Sequence, residues 1–399
     1  MADEKRPRIP RGMKRDGPAL WSYGFRPFFL GGAVWAVLTM ALWIAALVHG
    51  LPLGGDYGAA WWHAHEMVFG FAPAVLAGFL LTAIPNWTGS LPVAGRALIG
   101  LFALWAGGRL AMAGAALTGI WPAALIDAGF LPVLLAIAAR EIIAGRKWND
   151  LKVLAGVTAV MTGNLGFHLA VLTGGDPALW LRAAVAGYVV LVLIIGGRII
   201  PSFTRNWLGQ RGGGPMPVAY NRFDLGVIGF SAAALASWAV APEAGLMALA
   251  ALAAAALNLA RLSRWQGQAT RAEGLLLVLH LVYGFVPLGF LAIAAAGAGL
   301  VQPVSALHVL TVGVIAAMML AVMTRATRGH TGRALTASRL TLLSYASLFA
   351  AALSRPLADL LDLFWLVEAA GLLWMLAFGL FVLEHGPMLV LQRRPLRGT

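Results

Sequence analysis

The sequence predicts an all-α integral membrane protein of about twelve transmembrane helices, and three observations predict it. Hydrophobic residues make up 60% of the 399-residue chain and charged residues only 11%, against about 25% charged in a soluble domain. Apolar runs of roughly 20 residues recur along the whole length, each enough to cross a ~30 Å hydrocarbon core. Basic residues recur in every second connection between those runs, as they do where alternate loops face the cytoplasm.

The apolar runs place spans near 27–48, 63–84, 97–117, 121–143, 152–172, 178–200, 223–240, 244–262, 273–296, 304–325, 338–357 and 363–391. Lys5, Arg6, Arg8, Arg11, Lys14 and Arg15 precede the first span, whereas the next connection carries only Asp56. Arg96 follows, then Arg146, Lys147 and Lys152, then Arg205 and Arg211. Arg261, Arg264 and Arg271 come next, then Arg325, Arg328, Arg333 and Arg339, and finally Arg393, Arg394 and Arg397. In the intervening connections Arg355 is the one exception. A missed or invented helix would break this alternation. It predicts a cytoplasmic basic segment at 1–26, one membrane domain at 27–391 and a cytoplasmic basic tail at 392–399. The first 25 residues have no apolar core, so the chain is expected to insert through its own spans rather than a cleaved signal.

The formal charge of +13 does not point to nucleic acid, because the cations sit between spans and no segment interleaves them with aromatics. Cysteine is absent, which excludes disulfides, thiolate metal sites and a Cys nucleophile. Any metal must be held by His, carboxylate or Met.

The chain also repeats. At a shift of 243 residues His65 falls on His308, Gly70 on Gly313, Thr88-Gly89 on Thr331-Gly332 and Arg96 on Arg339. At a shift of 120, Asn86-Trp87-x-Gly89 falls on Asn206-Trp207-x-Gly209. Helices 2, 6 and 10 should therefore end alike, in three four-helix units.

Of the eight histidines, His49 and His385 fall at span ends and read as interfacial. His63, His65, His168 and His308 share one depth near the outer face, with His280 nearer the midplane and His330 in an inner loop. Ionisable residues inside a bilayer are costly and mark a ligand site or pathway, and imidazole is the commonest ligand for copper, zinc and haem iron. Residues two apart on a helix point about 200° apart, so His63 and His65 should not share one metal. The repeat suggests His65 and His308 as the two axial ligands of a haem, leaving His63, His168 and His280 for a second, copper-like centre, with His330 a poorer candidate. Glu66 can orient an imidazole or relay protons, or simply be solvated at the interface. Arg109, about 18 Å along helix 3, and Asp127, about 9 Å along helix 4, reach nearly one depth; a structural ion pair or a proton path would account for them. Arg182, Arg355 and Asp359 near the outer face could meet haem propionates or serve as interfacial anchors. No Walker, Rossmann, nucleophile-elbow or His-Glu-x-x-His pattern is present.

Several segments together resemble the NnrS family of bacterial membrane proteins. They are Gly24-Phe25-Arg26-Pro27-Phe28-Phe29-Leu30, Trp62-His63-Ala64-His65-Glu66-Met67 with Phe69-Gly70, and Gly78-Phe79-Leu80-Leu81-Thr82-Ala83 with Asn86-Trp87-Thr88-Gly89. Further on come Gly163-Asn164-Leu165-x-Phe167-His168, Gly197-Arg198-Ile199-Ile200-Pro201-Ser202-Phe203-Thr204 and His308-x-Leu310-Thr311-x-Gly313. The last is Met323-Thr324-Arg325-Ala326 with Gly329-His330-Thr331-Gly332-Arg333. The resemblance implies an inner-membrane protein containing haem, b-type, and copper, linked to nitric oxide in denitrification or nitrosative stress. It assigns no metal to a residue. The twelve-helix, three-unit layout also looks like the haem–copper oxidase architecture, by analogy alone.

Two functions are consistent with these observations. One is a redox metalloprotein that binds or turns over nitric oxide, with quinol or another electron donor if it is a nitric oxide reductase-like oxidoreductase. The other is a secondary transporter of copper, haem or an iron–nitrosyl species. Matched midplane breaks would mark a transporter, and the prolines at 85, 201 and 287 lie toward span ends instead.

Overall fold

A computed structural model describes residues 18–392. The basic residues at 5–15 and at 393–397 lie outside the described residues. Within them the chain forms twelve helices long and apolar enough to cross a membrane, and no strand. In chain order they are α1 Phe25–His49, α2 Gly55–Thr88, α3 Arg96–Ala113, α4 Ile120–Ala144, α5 Trp148–Leu172 and α6 Ala178–Gly209. There follow α7 Arg222–Val240, α8 Gly245–Ser263, α9 Gly274–Gly297, α10 Pro303–His330, α11 Arg339–Leu361 and α12 Trp365–Val390. The even helices begin at one face of the bundle, and the odd ones begin at the face that carries the arginine-rich connections, called here the basic face.

Helix ends differ from expectation where polar residues are buried. α2 begins at Gly55 rather than near 63, so its histidines lie inside the helix. α6 and α10 run on to Gly209 and His330, carrying Arg205, Arg325 and Arg328 as helical residues; His330 is the last residue of α10, not part of a loop. Arg261, expected in a connection, lies in the last turn of α8 with no exposure, its Nε donating to Asp224 at 2.9 Å. His385, expected at the interface, is 1% exposed within α12 and stacks on Phe381.

The first and last spans close the bundle. Arg26, in the first turn of α1, is buried and donates to the carbonyls of Leu389 at 2.7 Å and Leu391 at 2.8 Å. Those carbonyls at the end of α12 have no partner within their own helix, so one guanidinium completes both helices. Large apolar side chains such as Leu110, Leu249 and Leu383 are exposed on helix exteriors, as a hydrocarbon solvent permits.

The repeat has a structural counterpart. α2, α6 and α10 meet one another along the bundle centre, and they end at Thr88, Gly209 and His330, equivalent positions to within a residue. α2 and α10 each contain a π-helical stretch directly after the repeat-related histidine, Glu66–Phe71 after His65 and Val309–Ala316 after His308. A π turn leaves backbone carbonyls poorly matched. In α2 two of them find side-chain donors, Val68 from the Tyr188 hydroxyl at 3.1 Å and Gly70 from Trp105 Nε1 at 2.9 Å. A side chain at Gly70 would press into Arg109 and Glu66, so this stretch packs only because residue 70 has no Cβ.

Candidate metal centre and adjoining cavity

On α2 the residues Trp62-His63-Ala64-His65-Glu66 turn alternate faces to different neighbours. His65 faces α4 and α5, where its Nε2 lies 3.3 Å from His168 Nε2, 3.3 Å from Asp127 Oδ2 and 3.2 Å from Asn164 Oδ1. His168 Nε2 is 2.9 Å from the same Asp127 oxygen, and Asn164 Nδ2 donates to it at 2.9 Å. The far nitrogen of each ring is also engaged: His65 Nδ1 with Glu66 Oε1 at 2.9 Å, His168 Nδ1 with the Tyr57 hydroxyl at 2.8 Å. Arg109 lies between the carboxylates, ion-paired with Asp127 and with Glu66 Oε2 at 2.6 Å. Trp35 Nε1 also donates to Glu66 Oε2, at 2.8 Å. None of His65, Glu66, Arg109, Asp127, Asn164 and His168 exposes more than 3% of its surface. This buried His/Asp/His group could hold a metal ion.

His63 faces the other way, with its ring stacked on Trp43 at 4.6 Å. It and His308 both line a cavity of about 590 Å³, walled by α1, α2, α6, α7, α9, α10, α11 and α12 at the face opposite the basic one. Trp43, Trp61, Trp238, Leu181 and Phe364 supply apolar walls, and Arg182, Arg355 and Asp359 line it as well. The volume lies in the ordinary range of cofactor sites. His308 Nδ1 is 2.8 Å from the Val304 carbonyl. A carbonyl only accepts, so Nδ1 carries the proton and Nε2 keeps its lone pair. His63 Nδ1 is buried without a partner. Arg182 spends its Nε on the Ala239 carbonyl at 3.0 Å, and Arg355 pairs with Asp359 at 2.9 Å.

A smaller cavity of about 100 Å³ adjoins the first through His63, Leu307 and His308 and runs inward to Tyr188 and Ile315. A third, of about 70 Å³, continues from Tyr188 to Phe79, Ile199 and Val322 between the three central helices. It meets a fourth, of about 440 Å³, near the basic face beside Arg325 and His330. An almost wholly apolar column thus follows the bundle axis.

The structure therefore groups the predicted residues differently from the expectation. His65 and His308 do not share a cavity; His63 takes the place beside His308. Repeat-equivalent positions face different neighbours because Glu66 follows His65 and is held by Arg109 on α3, whereas His308 is followed by Val309. His63, His168 and His280 are not brought together either. His280 lies in the second turn of α9, hydrogen-bonded to Thr204 at 2.8 Å toward the basic face. His330 stacks with Tyr23 and Phe25 there, and His49 is exposed at the end of α1. Arg109 and Asp127 are in direct contact, but as part of the histidine cluster rather than as an isolated pair.

Sequence reasoning passed over Tyr57 and Asn164. Asn164 had a signal, since Asn164 and His168 are four apart and share a helix face; Tyr57, in the first turn of α2, had none.

Fold and site together define a polytopic membrane protein with a buried His/Asp/His cluster beside a histidine-lined cavity. Residues 19–393 match the family described as NnrS protein, nearly the whole chain, and the protein belongs to that family. No individual curated protein matches it. Membership supports a membrane protein associated with nitric oxide.

Proposed function

We propose that this protein binds nitric oxide at a haem held in the cavity lined by His63 and His308, and that it serves denitrification or tolerance of nitrosative stress. The observation that carries this reading is the pairing, in one 590 Å³ cavity with mostly apolar walls, of two imidazoles with two arginines, Asp359 and Glu243 lining it as well. A haem iron commonly takes imidazole nitrogen, its ring packs against apolar walls and its two carboxylates pair with cations. His63 and His308 would hold the iron, one of the two yielding its place to nitric oxide, and Arg182 and Arg355 would meet the propionates. When bound, the haem supplies an iron that takes small diatomic ligands. The protein's own part is to orient His308 through the Val304 carbonyl and to hold His63 against Trp43. Nitric oxide is small, uncharged and soluble in lipid, so the apolar column suits its approach.

Reductive turnover of two molecules of nitric oxide to nitrous oxide and water takes two electrons and two protons, which one quinol supplies; the reading needs turnover only if such a donor is present. With the basic face cytoplasmic, both termini lie on the cytoplasmic side of the inner membrane and the cavity on the other. The transport alternative lacks support from the helices: α2 and α10 pass unbroken through their π stretches. The test is a reduced-minus-oxidised spectrum of the purified protein with and without nitric oxide, alongside metal analysis. A haem band that shifts on adding nitric oxide is expected. A colourless protein would sink the proposal.

A further inference from the structure

The void between the three central helices carries a conclusion of its own. Its volume is about 70 Å³, and the repeat builds its walls in trios. Phe79 on α2, Ile199 on α6 and Val322 on α10 are related by the shifts of 120 and 243 residues, and all three line it. So do Leu76, Gly196 and Met319, an equivalent trio about one turn further from the basic face. Two members of that second trio carry large side chains and the third carries none. The void therefore lies where α6 omits the side chain that α2 and α10 supply.

Close packing does not demand this glycine. At the neighbouring Gly197 an added Cβ would run into the Arg261 guanidinium, so that position must stay bare. At Gly196 an added Cβ would meet the side chains of Ile200, Met318 and Tyr283 at 3.6–3.8 Å, which is ordinary van der Waals contact. Glycine inside a helix is destabilising relative to alanine, and atoms facing an empty space lose dispersion contacts. Both costs fall at a buried position where a side chain would fit. Packing alone gives no reason for them.

Chemistry limits what the space can hold. Among its walls Tyr188 has the one hydroxyl, already donated to the Val68 carbonyl at 3.1 Å. A buried water needs about two to four polar partners, and apolar cavities stay dry and take up uncharged guests instead. An ion or a hydrogen-bonding molecule would lose its hydration with nothing in return. One water takes up about 10–15 Å³ of such space, so about 70 Å³ admits a molecule of a few heavy atoms. The void also stands between two other spaces. It shares Tyr188 and Ile315 with the cavity that reaches His63 and His308, and Phe79, Ile199 and Val322 with the one at the basic face.

We infer that this void is a docking site for a small uncharged gas on its passage between the basic face and the histidine-lined cavity, and that Gly196 sets its bore. That the gas is nitric oxide rests on the function proposed above; the void and its preference for uncharged guests do not. The passage gives the histidines an entrance from the basic face that water and ions cannot follow. A leucine at 196, which α2 carries at the equivalent place, would close it.

The test is xenon, an uncharged probe that scatters anomalously, in crystals of the full-length protein held under the pressurised gas. A peak in the void is expected for the wild type and none there for Gly196→Leu. Rapid mixing of both proteins with nitric oxide should show association with the haem slowed by about tenfold or more in the variant, with the haem band unchanged. Monodispersity and melting temperature show that the variant is folded. If it is not, Gly196→Ala, whose methyl meets no neighbour inside 3.6 Å, should shrink the peak in its place. No xenon in the wild-type void, an undiminished peak in a folded variant, or an association rate unaffected by filling the void would overturn the inference. Xenon in the void of a protein with no haem band would count against the haem reading alone.

Discussion

His63 and His65 stand two residues apart on α2 and belong to different sites: His63 stacks on Trp43 in the large cavity, while His65 lies 3.3 Å from His168 in a sealed polar cluster. One helix face thus lines a cavity and the opposite face a sealed polar cluster. Neighbouring histidines should then have separable phenotypes.

Substituting His63 or His308 by Ala should lower haem occupancy by about 100-fold or more, since even groups that only orient a ligand are worth about 10- to 100-fold in metal affinity. His65→Ala should leave the haem band in place. Absorbance per milligram of purified protein decides it, and equal loss in all three variants would show that the two faces are not independent.

Arg182 and Arg355 line the cavity with the two histidines, Arg182 held by the Ala239 carbonyl and Arg355 by Asp359. A charge-assisted hydrogen bond is worth roughly 1.5–3 kcal/mol, or about 10- to 100-fold in affinity. Arg182→Ala should weaken haem retention by that factor, measured as the rate of haem transfer to an acceptor protein. Its spectrum should not change, because the iron ligands are intact.

Gly70 and Gly313 occupy equivalent places in the two π stretches, with unequal surroundings. A methyl at Gly70 meets Glu66 Oε2 at 2.7 Å as well as the Arg109 guanidinium, whereas one at Gly313 meets the ring of Phe285. Overpacking costs about 1–3 kcal/mol, and displacing a buried ion pair costs more than displacing a ring. Gly70→Ala should therefore lower the melting temperature more than Gly313→Ala.

Two buried arginines should be unequal in their effect on stability. Arg109→Met strands Glu66 and Asp127, whereas Arg261→Met leaves Asp224 with Arg264 at 3.5 Å and removes donors from the Leu193 carbonyl and the Tyr283 hydroxyl. Breaking a buried ion pair costs about 3–5 kcal/mol, so Arg109→Met should lose more folded protein than Arg261→Met on heating in detergent.

The twelve spans were legible because hydrocarbon selects for long apolar runs, and nothing in a soluble core imitates a dozen of them. The depth of the histidines was legible for the same reason, from rise per residue. Direction was not. Whether His63 or His65 meets His308 depends on the rotation of α2, which is set by the earlier start at Gly55, by the π stretch and by Glu66 reaching Arg109. Arg109 and Asp127 were matched in depth from their positions alone, yet their place in a buried histidine cluster required knowing that α5 packs beside α4. Arg261 was misplaced because a basic residue near a span end looks the same whether it snorkels or is buried against an aspartate on the next helix.

The clasp between Arg26 and the last carbonyls of α12 has a consequence for how the protein is made. The acceptors for this guanidinium lie on the twelfth span, so α1 enters the membrane before they do and the contact forms only once both spans are in place. The opening helix is thus sealed by the arrival of the closing one.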